Sequence, residues 1–379
     1  MKKIVQNLKY FDYTIFIAVL LLASFGVIMV YSSSMAVSII EYGGKSTDFF
    51  KKQLVFVVVG VMILLIVMNI PYQKYSKWIA PIIIFTFTIL ILVSFVGHTA
   101  GNAQSWFKIG GFSIQPAEFA KLATILYLSS IFSKRQNRID DFKQAILPPL
   151  LLVGFIFYLV YQQPDLGTGV LILFIALVLT FYSGMPLKQF WLMFFGLLLI
   201  AVFVILLAGD KIISEQQLSR FSASYHAFED EEKGYQVKSS LMAIASGGIF
   251  GRGLGESILK FGYLPEPHTD MIISVVAEEL GIFGVSFVIL LLMYIVIRGY
   301  MIAFSCRDLF GSLLVLGIVT LFGAQAIVNI GVAVGWLPVT GVTLPLVSYG
   351  GSSLIITMIS MGIVLNVSAS ANRTKESKS

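Results

Sequence analysis

Charge is scarce in this chain: Asp, Glu, Lys and Arg make up 12% of its 379 residues, against roughly 25% in ordinary soluble domains. A soluble fold of this length, two or three domains' worth, needs far more charged surface. Cysteine is scarcer still. Cys306 stands alone, which excludes an intramolecular disulfide framework, and three histidines leave no zinc-ligand spacing to assemble. The glycines at 247, 248, 251, 253 and 255 form a flexible run around Arg252. They do not match the dinucleotide pattern and no strand precedes them, which excludes a Rossmann fold. No cleavable signal is expected, because the first apolar run exceeds a signal-peptide core of roughly 7–15 residues.

Apolar residues are what the chain has in abundance, 57% of it. A transmembrane helix needs roughly 20 mainly apolar residues, and ten stretches come near that length. They are about 13–33, 53–70, 78–97, 115–132, 144–161, 168–183, 189–208, 271–297, 309–332 and 345–368. The expected fold is therefore all-α. It is a polytopic membrane bundle of about ten helices in one domain over 1–379, with a large extracytoplasmic loop at about 209–269 between helices 7 and 8. With the N-terminus inside, the inner segments carry fifteen Lys and Arg, including Lys74, Arg135, Arg298 and Lys375. The short outer loops carry only Lys45, Lys51, Lys52 and Lys108. That bias places both termini in the cytoplasm, with the long loop set aside because long loops translocate largely regardless of charge. Within it, apolar 241–245 is too short to span and reads as an interfacial or re-entrant segment.

Polar clusters gather where the chain re-enters the membrane from outside. Gln115-Pro116-Ala117-Glu118 opens the fourth span and Gln163 to Gly169 the sixth. Leu264 to Asp270 opens the eighth, and Pro345 with Ser348 to Ser353 the tenth. Such helix N-termini, with free N–H groups and a positive dipole end, suit an anion such as phosphate, although Pro and Ser also favour ordinary helix starts. Glu118 and Lys121 lie three apart on one helical face and are able to pair. They read either as a polar cavity wall or as an internal ion pair that locks packing. Asp270 sits at the outer boundary, where a carboxylate stays hydrated beside an apolar groove. His268 next to it reads either as a hydrogen-bond donor that tunes its pKa or as neutral surface decoration. Glu278 lies about 12 Å further along the same side of the helix, and Glu279 points toward a neighbouring helix.

Four blocks carry a family resemblance: SWFKIGGFSIQPAEFAK (Ser105 to Lys121), QPDLGTG (Gln163 to Gly169), GYLPEPHTDMIISVVAEE (Gly262 to Glu279) and NIGVAVGWLPVTGVTLPLVSYGGSS (Asn329 to Ser353). In this order they resemble the SEDS family of FtsW, RodA and SpoVE proteins, over nearly the whole chain. Gly234-Tyr235-Gln236, Ser240-Leu241 and YLPEPHTD look more like its FtsW branch. The resemblance implies a peptidoglycan glycosyltransferase acting on lipid II and the growing glycan strand, with Asp270 of the HTD motif as its catalytic residue. It places Glu118 and Lys121 at a central cavity. It also implies a class B penicillin-binding protein, a transpeptidase, as partner among divisome or elongasome membrane proteins, with no nucleic acid. Two departures stand out: Ser105 where many relatives carry Arg, and Met271 where Phe is usual.

The chemistry that follows joins the 4-hydroxyl of one disaccharide to the anomeric carbon of another. A hydroxyl is a poor nucleophile, so a carboxylate must take its proton as attack proceeds, and Asp270 suits that role. The leaving pyrophosphate needs positive charge from helix N-termini and from Lys121, Lys238, Arg252 or Lys260; a divalent cation, magnesium or manganese, is the other source. Glu118, His268, Ser348 and Ser352 complete the expected substrate-binding set. Two rivals stay open. A transporter for lipid-linked sugars would place its polar residues near the bilayer midplane within inverted repeats. A non-catalytic scaffold of the division complex would not need Asp270.

Overall fold

Water is absent from the bilayer core, so a chain of apolar runs must satisfy its backbone polar groups within each segment, and helices do so. The computed structural model describes residues 9–40, 43–100, 103–109, 112–212 and 234–376. In chain order its helices are α1 Tyr13–Ile40, α2 Asp48–Val67, α3 Ile79–Val96, α4 Pro116–Lys134, α5 Leu147–Tyr161 and α6 Leu166–Tyr182. There follow α7 Leu187–Ile212, α8 Tyr235–Gly247, α9 Ile272–Ser305, α10 Leu309–Ala333 and α11 Gly351–Glu376. Each of the ten apolar stretches falls on one helix. Among the described residues, seven helices are long and apolar enough to cross a membrane: α1, α2, α3, α5 with the π turn Phe142–Ile146 before it, α9, α10 and α11. Three expected spans fall short of that standard. α4 contains Glu118, Lys121 and Lys134. α6 has 17 residues, about 25 Å of helix against a hydrocarbon core of about 30 Å. In α7 the apolar part described is Leu187–Leu199.

α10 lies at the centre, buried along most of its length and packed against α4, α6, α9 and α11. The segments expected on the inner side meet at one end of the bundle. Lys134 Nζ donates to Ser76 O at 3.1 Å, Gln189 Nε2 to Asp140 O at 2.9 Å, and Arg298 pairs with Asp12 at 2.7 Å. Helix is not the whole of the structure. Between α3 and α4 stands a small antiparallel sheet, β1 His98–Ala100, β2 Ala103–Ile109 and β3 Phe112–Ile114, in the register His98 to Trp106 and Phe107 to Ile114. Its connections read Gly101-Asn102 and Gly110-Gly111 in sequence, the kind of dipeptide that hairpins favour. Alternation over Gln104 to Ile109 was too weak a pattern to announce a strand.

The apolar stretch 241–245 lies on α8, which accompanies the first turns of α9 in the same direction, Ser240 against Ser274 at 2.6 Å and Gly247 against Ala277. α8 ends where α9 breaks: Gly281 has φ 61° and ψ −152°. A broken helix leaves carbonyls and an N–H without partners, and the glycine run after α8 supplies them. Arg252 N and Gly253 N donate to the carbonyls of Glu278 and Glu279, each at 2.9 Å, and Ile282 N donates to Ile249 O at 3.1 Å. A Cβ at Gly247, Gly251 or Gly281 would lie 1.9, 2.2 or 2.4 Å from a backbone oxygen across this seam. The run expected to be flexible is instead a backbone-to-backbone splice.

Candidate active site

The clusters that open α4, α6, α9 and α11 come together. Gln115 bridges three of them: its backbone N–H donates to Ser352 Oγ at 3.3 Å, and its Nε2 donates to Asp165 Oδ2, ahead of α6, at 2.7 Å. The extended segment between α10 and α11 covers the fourth. Residues 336–350 contain no helix, and there Gly167 of α6 abuts Thr340 while Gly341 faces Asp270, a Cβ at Gly341 standing 3.8 Å from Asp270 Oδ2. Asp270, half-buried, thus stands at the mouth where four helices present their N-termini.

The backbone before α9 is tied to this segment residue by residue. Tyr349 N donates to His268 O at 2.9 Å, Ser348 Oγ to Thr269 O at 2.6 Å, and Asn329 Nδ2 to Asp270 O at 2.8 Å. Ser348, expected to bind substrate, is buried and also accepts from Leu344 N at 2.9 Å, so its hydroxyl works inside the protein. His268 is buried against the rings of Phe49 and Tyr349, at centroid distances of 4.6 and 5.6 Å, in a cluster of three mutually touching rings, and no described residue pairs with its Nδ1. It lies outside the spanning helices. Burial holds the imidazole below its ordinary value, and Glu266 opposes that only in part. His268 is therefore a neutral wall of the loop.

Glu118 and Lys121 pair, Nζ to Oε1, at 2.8 Å, with relative exposures of 7% and 1%. They are the third and sixth residues of α4, hence within roughly 8 Å of its N-terminus. Glu118 also lines a small void of about 10 Å³, room for a single water at most, between α4, α10 and α11, along with Gln325, Thr357 and Ser360. The two form an ion pair, and of the two Glu118 lines the void.

Two of the expected basic residues of the outer loop, Lys260 and Arg252, belong elsewhere. Lys260 is fully buried, and its ammonium donates to Glu279 Oε1 at 2.7 Å, Gly255 O at 2.6 Å and Ser32 Oγ of α1 at 3.1 Å. All three hydrogens are spent, which leaves none for a pyrophosphate. Arg252 is exposed, 3.9 Å from buried Glu278. That carboxylate accepts from Ile258 N at 2.9 Å and from Ser257 Oγ. Lys238, half-buried on α8, has no ion-pair partner among the described residues. Arg252 and Lys260 therefore belong to the α9 kink, about two turns from Asp270.

Sequence reasoning passed over Asn329, Gln115 and Tyr349 as site residues, although all three stand in the blocks it singled out. Asn329 had a signal: an amide in the apolar run Ala326 to Ala333 is a marker of function inside a membrane helix. Ser105 is buried and donates to Gln163 O at 2.8 Å, fastening β2 to the turn before α6. No group of three or more His, Cys, Asp or Glu comes together among the described residues.

The comparisons bear on the same residues. The family described as "Cell cycle protein", comprising FtsW, RodA and SpoVE, matches residues 12–373. The "Probable peptidoglycan glycosyltransferase FtsW" of Bacillus subtilis is 46% identical over 96% of this chain and 92% of its own length. The "Stage V sporulation protein E" of that organism is 38% identical over 94% and 96%. Among solved structures, a chain of a peptidoglycan synthase complex that coordinates polymerization and crosslinking superposes with a TM-score of 0.78 at 27% identity, over 95% of this chain and 98% of that one. The rod shape determining protein RodA of Thermus thermophilus gives 0.69 at 28%, over 94% and 96%. The chain is thus a multi-pass membrane protein, and it belongs to the FtsW/RodA/SpoVE family.

Proposed function

We propose that this protein is a peptidoglycan glycosyltransferase that polymerises lipid II on the outer face of the cytoplasmic membrane, in division or elongation, with Asp270 as general base. The placement of that carboxylate at the mouth of four helix N-termini carries the reading, and the names of the relatives give it its substrate. The Asp270 carboxylate takes the proton of the acceptor 4-hydroxyl as its oxygen bonds to the donor's anomeric carbon. The bond from that carbon to the pyrophosphate breaks, and undecaprenyl pyrophosphate leaves with both electrons. A single displacement inverts the centre, so an α-linked donor yields a β-linked strand. Developing negative charge on the leaving group faces the N–H groups and dipoles at the mouth. In this reading the chain crosses the membrane ten times with both termini cytoplasmic. Its partner is a class B penicillin-binding protein, for which the likeness to a chain of a synthase complex is the support.

The test is polymerisation of labelled lipid II by purified, monodisperse protein. Wild type should make glycan chains, and Asp270→Asn, which keeps size but loses basicity, should be at least about a hundredfold slower. A wild-type rate for the Asn variant removes Asp270 as base. Lipid II movement across vesicles without chain growth would favour the transporter.

A further inference from the structure

Three successive carbonyls, those of His268, Thr269 and Asp270, are each held by a different group of the stretch from Asn329 to Tyr349. Of these holders, Asn329 is the one that reaches from a membrane helix. Its amide has two hydrogens, and both are used across the structure rather than within α10: one goes to Asp270 O and one to Val342 O, each at 2.8 Å. Both neighbours are acceptors, so only the orientation with NH₂ facing them satisfies the contacts. Oδ1, buried, has no partner among the described residues. The two carbonyls alone therefore orient the side chain. Through one planar group, Asp270 and the segment that faces it are locked together.

We infer that Asn329 is a positioning residue for the reaction, setting where the Asp270 carboxylate stands relative to the 336–350 segment. This rests on the reading of Asp270 as general base. Asn329 touches no reacting atom; it acts on the backbone that carries the base. General-base catalysis depends on placement, and a shift of about 1 Å costs about a hundredfold. Removing the amide frees Asp270 O and Val342 O from each other. Placing a carboxylate there turns two attractions into two repulsions.

The experiment uses the purified full-length protein and steady-state lipid II polymerisation. It compares Asn329→Ala and Asn329→Asp, each alone and combined with Asp270→Asn. We expect kcat to fall at least about tenfold for Ala and further for Asp, while KM for lipid II stays within about twofold. In the Asp270→Asn background neither should slow residual turnover further, because both act through the same group. Further loss there, or an unchanged kcat in the single variants, overturns the inference. So does a fall in the fraction of molecules that bind lipid II with a normal rate per bound molecule, which is what a merely structural amide would produce. Ser348→Ala cuts the neighbouring tie on Thr269 and should show the same split of kcat from KM. Failure of all three variants to fold also overturns it, since the ties would then hold the fold rather than the base. The two readings separate cleanly: a slow Asp270→Asn with fast Asn329 variants sinks only the positioning role, whereas a fast Asp270→Asn sinks the general base.

Discussion

At the scale of single residues, charge is committed in pairs. Lys121 with Glu118 and Lys260 with Glu279 are buried ion pairs, and breaking one partner of such a pair costs about 3–5 kcal/mol because the other charge is stranded. Glu118→Gln or Lys121→Met alone should therefore lower expression and thermal stability, and the double variant should recover both. If the pair also serves as cavity wall, glycan synthesis by the double variant stays low; recovery of activity as well would leave only the packing role. His268 makes a second prediction. Its folded value lies below the ordinary 6.5 of an imidazole. On acidification the unfolded chain takes up the proton first, so stability is lost as pH falls below about 6.5, and none is lost above it. Melting temperature measured from pH 7.5 to 5.5 should decline, and His268→Phe, which keeps a ring against Phe49 and Tyr349, should flatten that decline. An unaltered slope would show that other groups govern the acid limb.

Among the elements, α9 and the splice beside it decide the most. A helix interrupted at Gly281 would be costly in a membrane if its freed groups met lipid. The chain from Ile249 to Gly253 meets them instead, and Lys260 then reaches from the same loop to Glu279 and Ser32. α1, α8 and α9 are joined in this way about two turns along α9 from Asp270. Gly247→Ala puts a Cβ against Ala277 O. We expect it to force α8 from α9 and destabilise by about 1–3 kcal/mol or more, read as a lower melting temperature. Gly154→Ala on α5, where nothing lies within 4 Å of the added carbon, should be neutral or stabilising, since alanine suits a helix interior better. Equal effects at the two positions would remove the seam as an explanation.

For the molecule as a whole, its two ends differ in kind. One gathers the basic segments, with Arg298 on Asp12 and Lys134 on Ser76; the other gathers helix N-termini, Asp270 and the sheet before α4. In the orientation proposed above, the positive-inside bias puts the first end on the cytoplasmic side. In a variant lacking Cys306, a cysteine at Glu256 should react with an impermeant maleimide on intact cells. One at Arg135 should react only after permeabilisation. Labelling of the Arg135 position from outside would invert the orientation and remove Asp270 from a substrate presented on the outer face. The acidic run at Glu229 to Glu232 lies outside the described residues.

Sequence alone determined the class of molecule, the position of every long helix and the face on which its polar residues gather. These are local properties. An apolar run of membrane length, a helix-opening Pro or Ser and a three-residue spacing are all read within a few turns of chain, and the Glu118–Lys121 pair was legible for that reason. Tertiary structure decided which groups remain available for chemistry. Ser32 and Glu279 are 247 positions apart and Asn329 and Asp270 are 59 apart, and no period or motif links such partners. Lys260 looked like a free cation and Gly247 to Gly255 like a flexible run, because in sequence neither shows the carboxylate or the broken helix that it meets. A buried hydrogen-bonding group is defined by what desolvates it, and in this protein that comes from distant segments packed across the bundle.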